Sequence, residues 1–227
     1  MKNKKFWENA FKNNLRSQRN FPNEELCRFL GRNNFERKKN INVLELGCGT
    51  GSNIPAFLFY NMKVTGIDFS SESIKICKRK FKFKKNVNFL NLNMLEIDKL
   101  KKNYDLIVDV FSSYNLNLKQ NDTLLNKIYK KLKTNGIFFT FTPSKNSTSW
   151  VKETNKFDDS TILNFKRKNS PYYGNKGFFR FISLSEIKKK ISNKNLKIQY
   201  CETISKTYNN NKEIFQFISL EAKKINR

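Results

Sequence analysis

The chain has 227 residues, with 45 Lys and Arg against 19 Asp and Glu, a formal net charge of +26 and no histidine. Without imidazole there is no Ser/His/Asp or Cys/His triad, no histidine-ligated zinc and no imidazole base. Cys27, Cys48, Cys77 and Cys201 lie too far apart for a CxxC zinc ribbon, and so few in a chain this long predict reduced thiols, not a disulfide framework. Residues 1–20 are polar and no segment approaches the ~20 apolar residues of a membrane span, so the expectation is a soluble, cytoplasmic protein.

Residues 21–31, FPNEELCRFLG, read as a short helix, with Pro22 in the first turn, Glu24 and Glu25 near the positive end and Gly31 to close it. INVLEL at 41–46 is a run of β-formers that stops at glycines, and 52–60 reads as helix. MKVTGIDF (62–69) is a second buried strand, and 70–82 a helix opened by Ser70 and Glu72. NVNFLNL (86–92) and YDLIVDVF (104–111) are further strands. Leu124, Leu125, Ile128 and Leu132 recur at helical spacing before the strand GIFFTFT (136–142).

Strands alternating with helices predict an α/β fold with a mostly parallel sheet and helices on both faces. Residues 143–183 break the alternation and read as an insertion. A helix at 184–191 and two strands flanking Asn209-Asn210-Asn211 close the chain, the strands as an antiparallel pair. No repeat and no Pro/Gly/Ser-rich linker divides the chain, so one domain is expected.

The most informative segment is Val43-Leu44-Glu45-Leu46-Gly47-Cys48-Gly49-Thr50-Gly51, a strand that ends in three glycines before a helix. Glycine lets the chain turn tightly and lets a ligand lie against bare backbone, in front of free helix amides. A nicotinamide site would read G-x-G-x-x-G. Here the third glycine comes one residue early, and Glu45 would repel a pyrophosphate while suiting a cationic ligand.

With these residues in view, the sequence resembles the class I S-adenosylmethionine-dependent methyltransferases, whose first motif is E/D-x-G-x-G-x-G. Asp68, at a strand end 17 residues after Gly51, matches the family's second motif. The resemblance implies a Rossmann-like, doubly wound, seven-stranded sheet with an antiparallel C-terminal strand. It implies a core at 41–142 that holds the cofactor through Glu45, Gly47, Cys48, Gly49, Gly51 and Asn53 in the loop. Asp68 would receive the ribose hydroxyls and Phe69 would lie against adenine. Asn93 takes the place of a common Asp near the adenine amino group, with Met94 beside it. Asp105 and Lys133-Thr134-Asn135-Gly136 match the family's fourth strand and its following turn less closely. Cys48 reads as packing in a narrow space.

The chemistry so implied is in-line methyl transfer, which needs no metal and depends on placing the acceptor. Asp109, at the end of the fourth strand, is the carboxylate candidate for a general base and for cofactor contact, and Tyr114 and Asn115 follow it in the acceptor-facing loop. Asp109 has a structural alternative, holding a backbone amide. Residues 1–40, with Trp7 and Phe11, read either as a helical lid or as a helix docked on the sheet. The insertion 143–183 would bind the acceptor through Trp150, Tyr172, Tyr173 and Arg180, and 184–227 supplies the final helix and strand pair.

The charge adds less than its size suggests. It comes from 36 Lys and only 9 Arg, beside 33 Asn, all consistent with A/T-rich codons, whereas nucleic-acid recognition favours Arg. Short lysine runs read as solvated helix faces and ends. The expected acceptor is a small, anionic molecule, a sugar or nucleotide-linked sugar among them. An RNA acceptor and a non-catalytic S-adenosylmethionine-binding protein are the alternatives, with a dehydrogenase more distant.

Overall fold

The computed structural model describes residues 2–13 and 18–225. Helices α1 (Lys2–Asn13) and α2 (Glu24–Arg32) precede an alternating stretch. It runs β1 (Asn42–Leu46), α3 (Ile54–Phe59), β2 (Lys63–Asp68), α4 (Ser71–Lys80), β3 (Val87–Asn91), β4 (Tyr104–Val110), α5 (Leu118–Lys131) and β5 (Leu132–Pro143). There follow α6 (Thr148–Val151), the short strands β6 (Lys156–Asp158), β7 (Thr161–Leu163) and β8 (Phe178–Arg180), α7 (Leu184–Ser192), β9 (Leu196–Tyr208) and β10 (Glu213–Lys224).

Seven strands share one sheet in the order β3-β2-β1-β4-β5-β10-β9. The β1–β2, β2–β3, β1–β4 and β4–β5 pairs are parallel, and β10 runs antiparallel to both β5 and β9. This is the doubly wound sheet that the alternation predicts. Successive residues of the central strands feed opposite layers, as the two-residue period requires. Val43 and Leu106 join the core with Phe29, Val64 and Phe139; Leu44 and Ile107 join the one with Leu124, Ile128 and Phe138. Both faces are therefore covered, which is why Val43, Leu44 and Leu46 of β1 are apolar on either side of the sheet. The strand order reverses between β1 and β4, which opens a crevice at their carboxyl ends, the usual ligand position in such sheets.

Two features depart from the expected pattern. The insertion carries its own three-stranded sheet, β6-β7-β8, whose three-residue strands are too short to display a period. The closing hairpin is also longer than its apolar runs, because Asn209, Asn210 and Asn211 all take left-handed backbone. Among the described residues, nine of the ten non-glycine positions with positive φ are Asn; the tenth is Phe111. Asn tolerates this conformation by bonding locally, so in a chain with only 8 Gly it takes the turns that glycine would otherwise fill.

Candidate active site

The loop after β1 needs its glycines for three different reasons. Gly47, Gly49 and Gly51 have φ of 62°, 52° and 80°, which strains any residue with a Cβ. A Cβ on Gly47 would also lie 2.5 Å from the Ser112 Cβ, and one on Gly51 would lie 2.7 Å from the Phe81 ring. On Gly49 it would meet only the Phe11 ring, 3.6 Å away. Gly47 and Gly51 thus let the loop pack against the protein, while Gly49 bares backbone to the crevice.

Glu45 lies beneath this loop and does not line the crevice. It is 2% exposed and accepts a hydrogen bond from Asn53 Nδ2 at 2.8 Å, while Asn53 Oδ1 accepts from the Asn23 amide at 2.9 Å. The carboxyl thus anchors α2 to the loop through one amide. Burial, opposed by Asn53 and reinforced by Asp68, pushes its pKa up to about 8, so at neutral pH it acts as a neutral hydrogen-bonding group. Since the folded state keeps this proton up to about pH 8 and the unfolded chain loses it near the ordinary value, stability falls as pH rises through that window. The slope is about 1.4 kcal/mol per pH unit. Glu45→Gln should remove it: between pH 6.5 and 8 the wild-type melting temperature should drop by roughly 2–4 °C per unit relative to the variant. Parallel melting curves over that range would dismiss the assignment.

Asp68 ends β2 beside the loop. Its Oδ2 accepts from the Gly49 amide at 2.9 Å and its Oδ1 from the Ser70 amide at 2.8 Å. Burial raises its pKa to about 6 against these hydrogen bonds. A carboxylate offers about four lone-pair sites, so two protein amides leave capacity for a ligand's hydroxyls. Next to it α1 crosses the crevice. Glu8 accepts from Ser70 Oγ at 2.8 Å and from the Ser71 and Glu72 amides at 2.8 and 3.1 Å, capping α4 from another helix. Burial raises the Glu8 pKa, but these hydrogen bonds outweigh it and hold the group below its ordinary value. The neighbouring Trp7 Nε1 donates to Asn115 Oδ1 at 3.1 Å. Adjacent residues of one helix are therefore tied to both banks of the crevice.

The crevice encloses about 1760 Å³. Gly47, Cys48, Gly49, Asn53, Asp68, Phe69, Met94 and Tyr114 line it, joined by Tyr172 and Tyr173 from the insertion. A match to the methyltransferase domain model covers residues 37–217, most of the chain. The chain belongs to the class I S-adenosylmethionine-dependent methyltransferases. Over 156 residues it is 31% identical to malonyl-[acyl-carrier protein] O-methyltransferase 2 of Ilyobacter polytropus, covering 67% of this chain and 54% of that protein. Over 115 residues it is 33% identical to the ubiquinone biosynthesis O-methyltransferase of Pelagibacter ubique, covering 50% and 46%. The chain thus spans about half the length of the curated relatives it matches. The fold superposes on the N-methyltransferase NodS from Bradyrhizobium japonicum, solved with S-adenosyl-L-homocysteine, with a TM-score of 0.66, 15% identity and 99% of each chain covered.

The crevice of this methyltransferase fits S-adenosylmethionine, the family's cofactor. The open side of Gly49, the spare acceptor capacity of Asp68 and the apolar surfaces of Phe69 and Met94 lie in one cavity. Other residues marked in the sequence lie outside it. Gly51 faces Phe81 and Cys77, and Asn93 caps the turn 94–99 through the Leu95 amide at 2.9 Å. Asp109 is 3% exposed and turned away: its Oδ1 accepts from the Ser113 amide at 2.9 Å and lies 2.6 Å from Ser112 Oγ. Its Oδ2 accepts from Thr140 Oγ1 at 3.1 Å and from Ser113 Oγ. Arg180, 2% exposed, donates to that same Ser113 hydroxyl at 3.3 Å. Trp150 packs on Phe181. Glu8, Phe111 and Asn175 belong to the site without any mark in the sequence, since only the fold brings them there.

Among the described residues no helix is long and apolar enough to cross a membrane, and all four cysteines are free thiols.

Proposed function

We propose that this protein transfers the methyl group of S-adenosylmethionine to a small, anionic acceptor. The observation that carries this reading is the single cavity joining the Gly49–Asp68 cradle to an aromatic wall. When bound, the cofactor supplies a methyl group on a sulfonium: the acceptor's lone pair forms the new bond to carbon, the carbon–sulfur pair stays on sulfur, and any acceptor proton leaves to water. The chain's own residues do the rest. Gly49 lets the ligand lie against backbone, and Asp68 receives the ribose hydroxyls and faces a cation. Helix α1 closes over both ligands as a lid, fastened by Glu8 and Trp7. Tyr114 orients the acceptor; burial pushes its phenol well above the ordinary value, with the Asn115 and Asn175 amides pulling the other way, so it keeps its proton and donates. Asp109 positions the loop that carries Tyr114. The 143–183 segment forms the acceptor side. Free thiols and a charged acceptor suit the cytoplasm.

Two curated relatives are O-methyltransferases by name, which supports oxygen as the methylated atom. A sugar or nucleotide-linked sugar is the second reading, favoured by the exposed ring of Tyr173 at the cavity rim. Calorimetry tests the cofactor. Wild type should bind S-adenosylmethionine and its demethylated product, and Gly49→Arg should abolish both, because the arginine would fill the cradle from a strained left-handed position. No heat with wild type, or undiminished binding in the variant, would defeat the reading.

A further inference from the structure

Phe111 is the one described residue other than Asn or Gly with left-handed backbone, at φ 50°. For a bulky side chain this is strained, and strain of this kind persists where the surroundings dictate it. It follows β4, where its amide bonds the Phe141 carbonyl at 2.8 Å, and the ring lines the cavity. There it meets Tyr114, Phe217 and Tyr172 at centroid distances of 4.4, 5.6 and 5.7 Å. Phe141 stacks on Phe217 at 4.7 Å and 17°, and Ile204 lies opposite Phe217 across the β9–β10 pair.

These packed rings give the cavity one aromatic side, with Phe111 and Tyr172 its less buried members and Phe217 and Tyr114 closing it from behind. A sugar laid on it would leave hydroxyls facing phenyl rings; a flat ring would not, and ring faces pair well with aromatic neighbours. At its edge stand Lys166, Lys176 and Lys206, none in a salt bridge among the described residues. The acids of α2, Glu24 and Glu25, also line the cavity; burial and the nearby Glu202 raise the pKa of Glu25, with Arg28 opposing. Neither Asp109, outside the cavity, nor the protonated Tyr114 is placed to remove an acceptor proton. This favours an acceptor whose nucleophile is already ionised or intrinsically basic.

Resting on the function proposed above, we propose that the acceptor is a planar ring-bearing acid, an aromatic or heteroaromatic carboxylate or acidic phenol. Its ring lies against Phe111, Phe217 and Tyr172, and its charge faces the lysine edge with Lys206 as a specificity-determining residue.

The test uses wild-type protein first shown by calorimetry to bind S-adenosylhomocysteine; failure there overturns the function itself and not this inference. On the product-saturated protein, dissociation constants are measured for 4-hydroxybenzoate, anthranilate and quinoline carboxylate, for the neutral ring 4-methylphenol, and for galacturonate and uridine-diphosphate glucose. At least one ring acid should bind about tenfold more tightly than the neutral ring and than either sugar. Phe217→Ala should weaken that ring acid about tenfold and leave S-adenosylhomocysteine affinity within about twofold. Lys206→Glu, at an exposed position that leaves the core intact, should weaken the ring acid and spare 4-methylphenol. Tighter sugar binding, equal binding of neutral and acidic rings, or ring-acid affinity unchanged in Lys206→Glu would overturn the proposal.

Discussion

Asp68→Ala should weaken S-adenosylmethionine binding by about 100-fold or more, measured by calorimetry at pH 7.5. Hydrogen bonds to an ionised group contribute about 1.5–3 kcal/mol each, and a carboxylate that takes two ribose hydroxyls loses both on truncation. The cost goes further, because Asp68 also holds the Gly49 and Ser70 amides. Alanine frees the loop it was orienting. Asp68→Asn keeps one acceptor and should fall between wild type and alanine. The pH dependence has a definite sign. With its pKa raised to about 6 by burial, the free protein protonates this group as pH falls below that value, whereas the ribose contact proposed above calls for the ionised form. Affinity should therefore be level above about pH 7 and fall by up to tenfold per unit below about 6. In Asp68→Ala the profile should flatten there. An affinity that persists in the alanine variant would remove Asp68 from the cofactor site.

What the sequence could show here divides along a physical line. The glycine loop, β2 and Asp68 were legible because strand, turn and helix N-terminus are contiguous, so their geometry follows from local chemistry. Asp68 and Asp109 both sit at the carboxyl ends of parallel strands that flank β1, and on paper they are equivalent. They differ by one residue of pleat. Asp68 is the last residue of β2 and reaches the cavity, while Asp109 precedes Val110, the residue that does. Side chains alternate along a strand, so this offset sends Asp109 to the opposite face, among Ser113, Thr140 and Arg180. Nothing in the run YDLIVDVF states where the strand ends. The lid contacts of Glu8 and Trp7 span 62 to 108 positions of chain, and the aromatic wall is gathered from the turn after β4, from β5 and β10 and from the insertion. Such groupings exist only once the sheet order is set. Glu45 was legible as an acid and not as a buried one, because the fold, not the motif, decides its solvation.

Asp109→Ala should lower stability by about 3–5 kcal/mol, because it strips the counter-charge from a buried cation. Arg180 is almost wholly buried, and burial draws its pKa down to about 10, with Asp109 the largest opposing influence. Removing the carboxylate takes from this guanidinium the anion that supports its charge most and deprives Ser113 and Thr140 of their acceptor. For a domain of this size the melting temperature should drop by about 10 °C, readable by thermal or urea unfolding. The substitution separates two roles that the sequence left open. A general base replaced by Asn would lose turnover and keep its melting point. An anchor replaced by Asn keeps one oxygen for the Ser113 N–H but removes the negative charge beside Arg180 and the second acceptor for the Ser113 and Thr140 hydroxyls, loses stability, and leaves the surviving folded protein with an unaltered pH–rate profile. The double variant Asp109→Ala, Arg180→Met adds a further check. Taking away the buried cation together with its partner should recover much of the loss, giving a coupling of roughly 1–3 kcal/mol between the two sites. Strictly additive losses would mean that Asp109 acts through Ser113 and Thr140 alone, and an unchanged midpoint with abolished turnover would return it to catalysis.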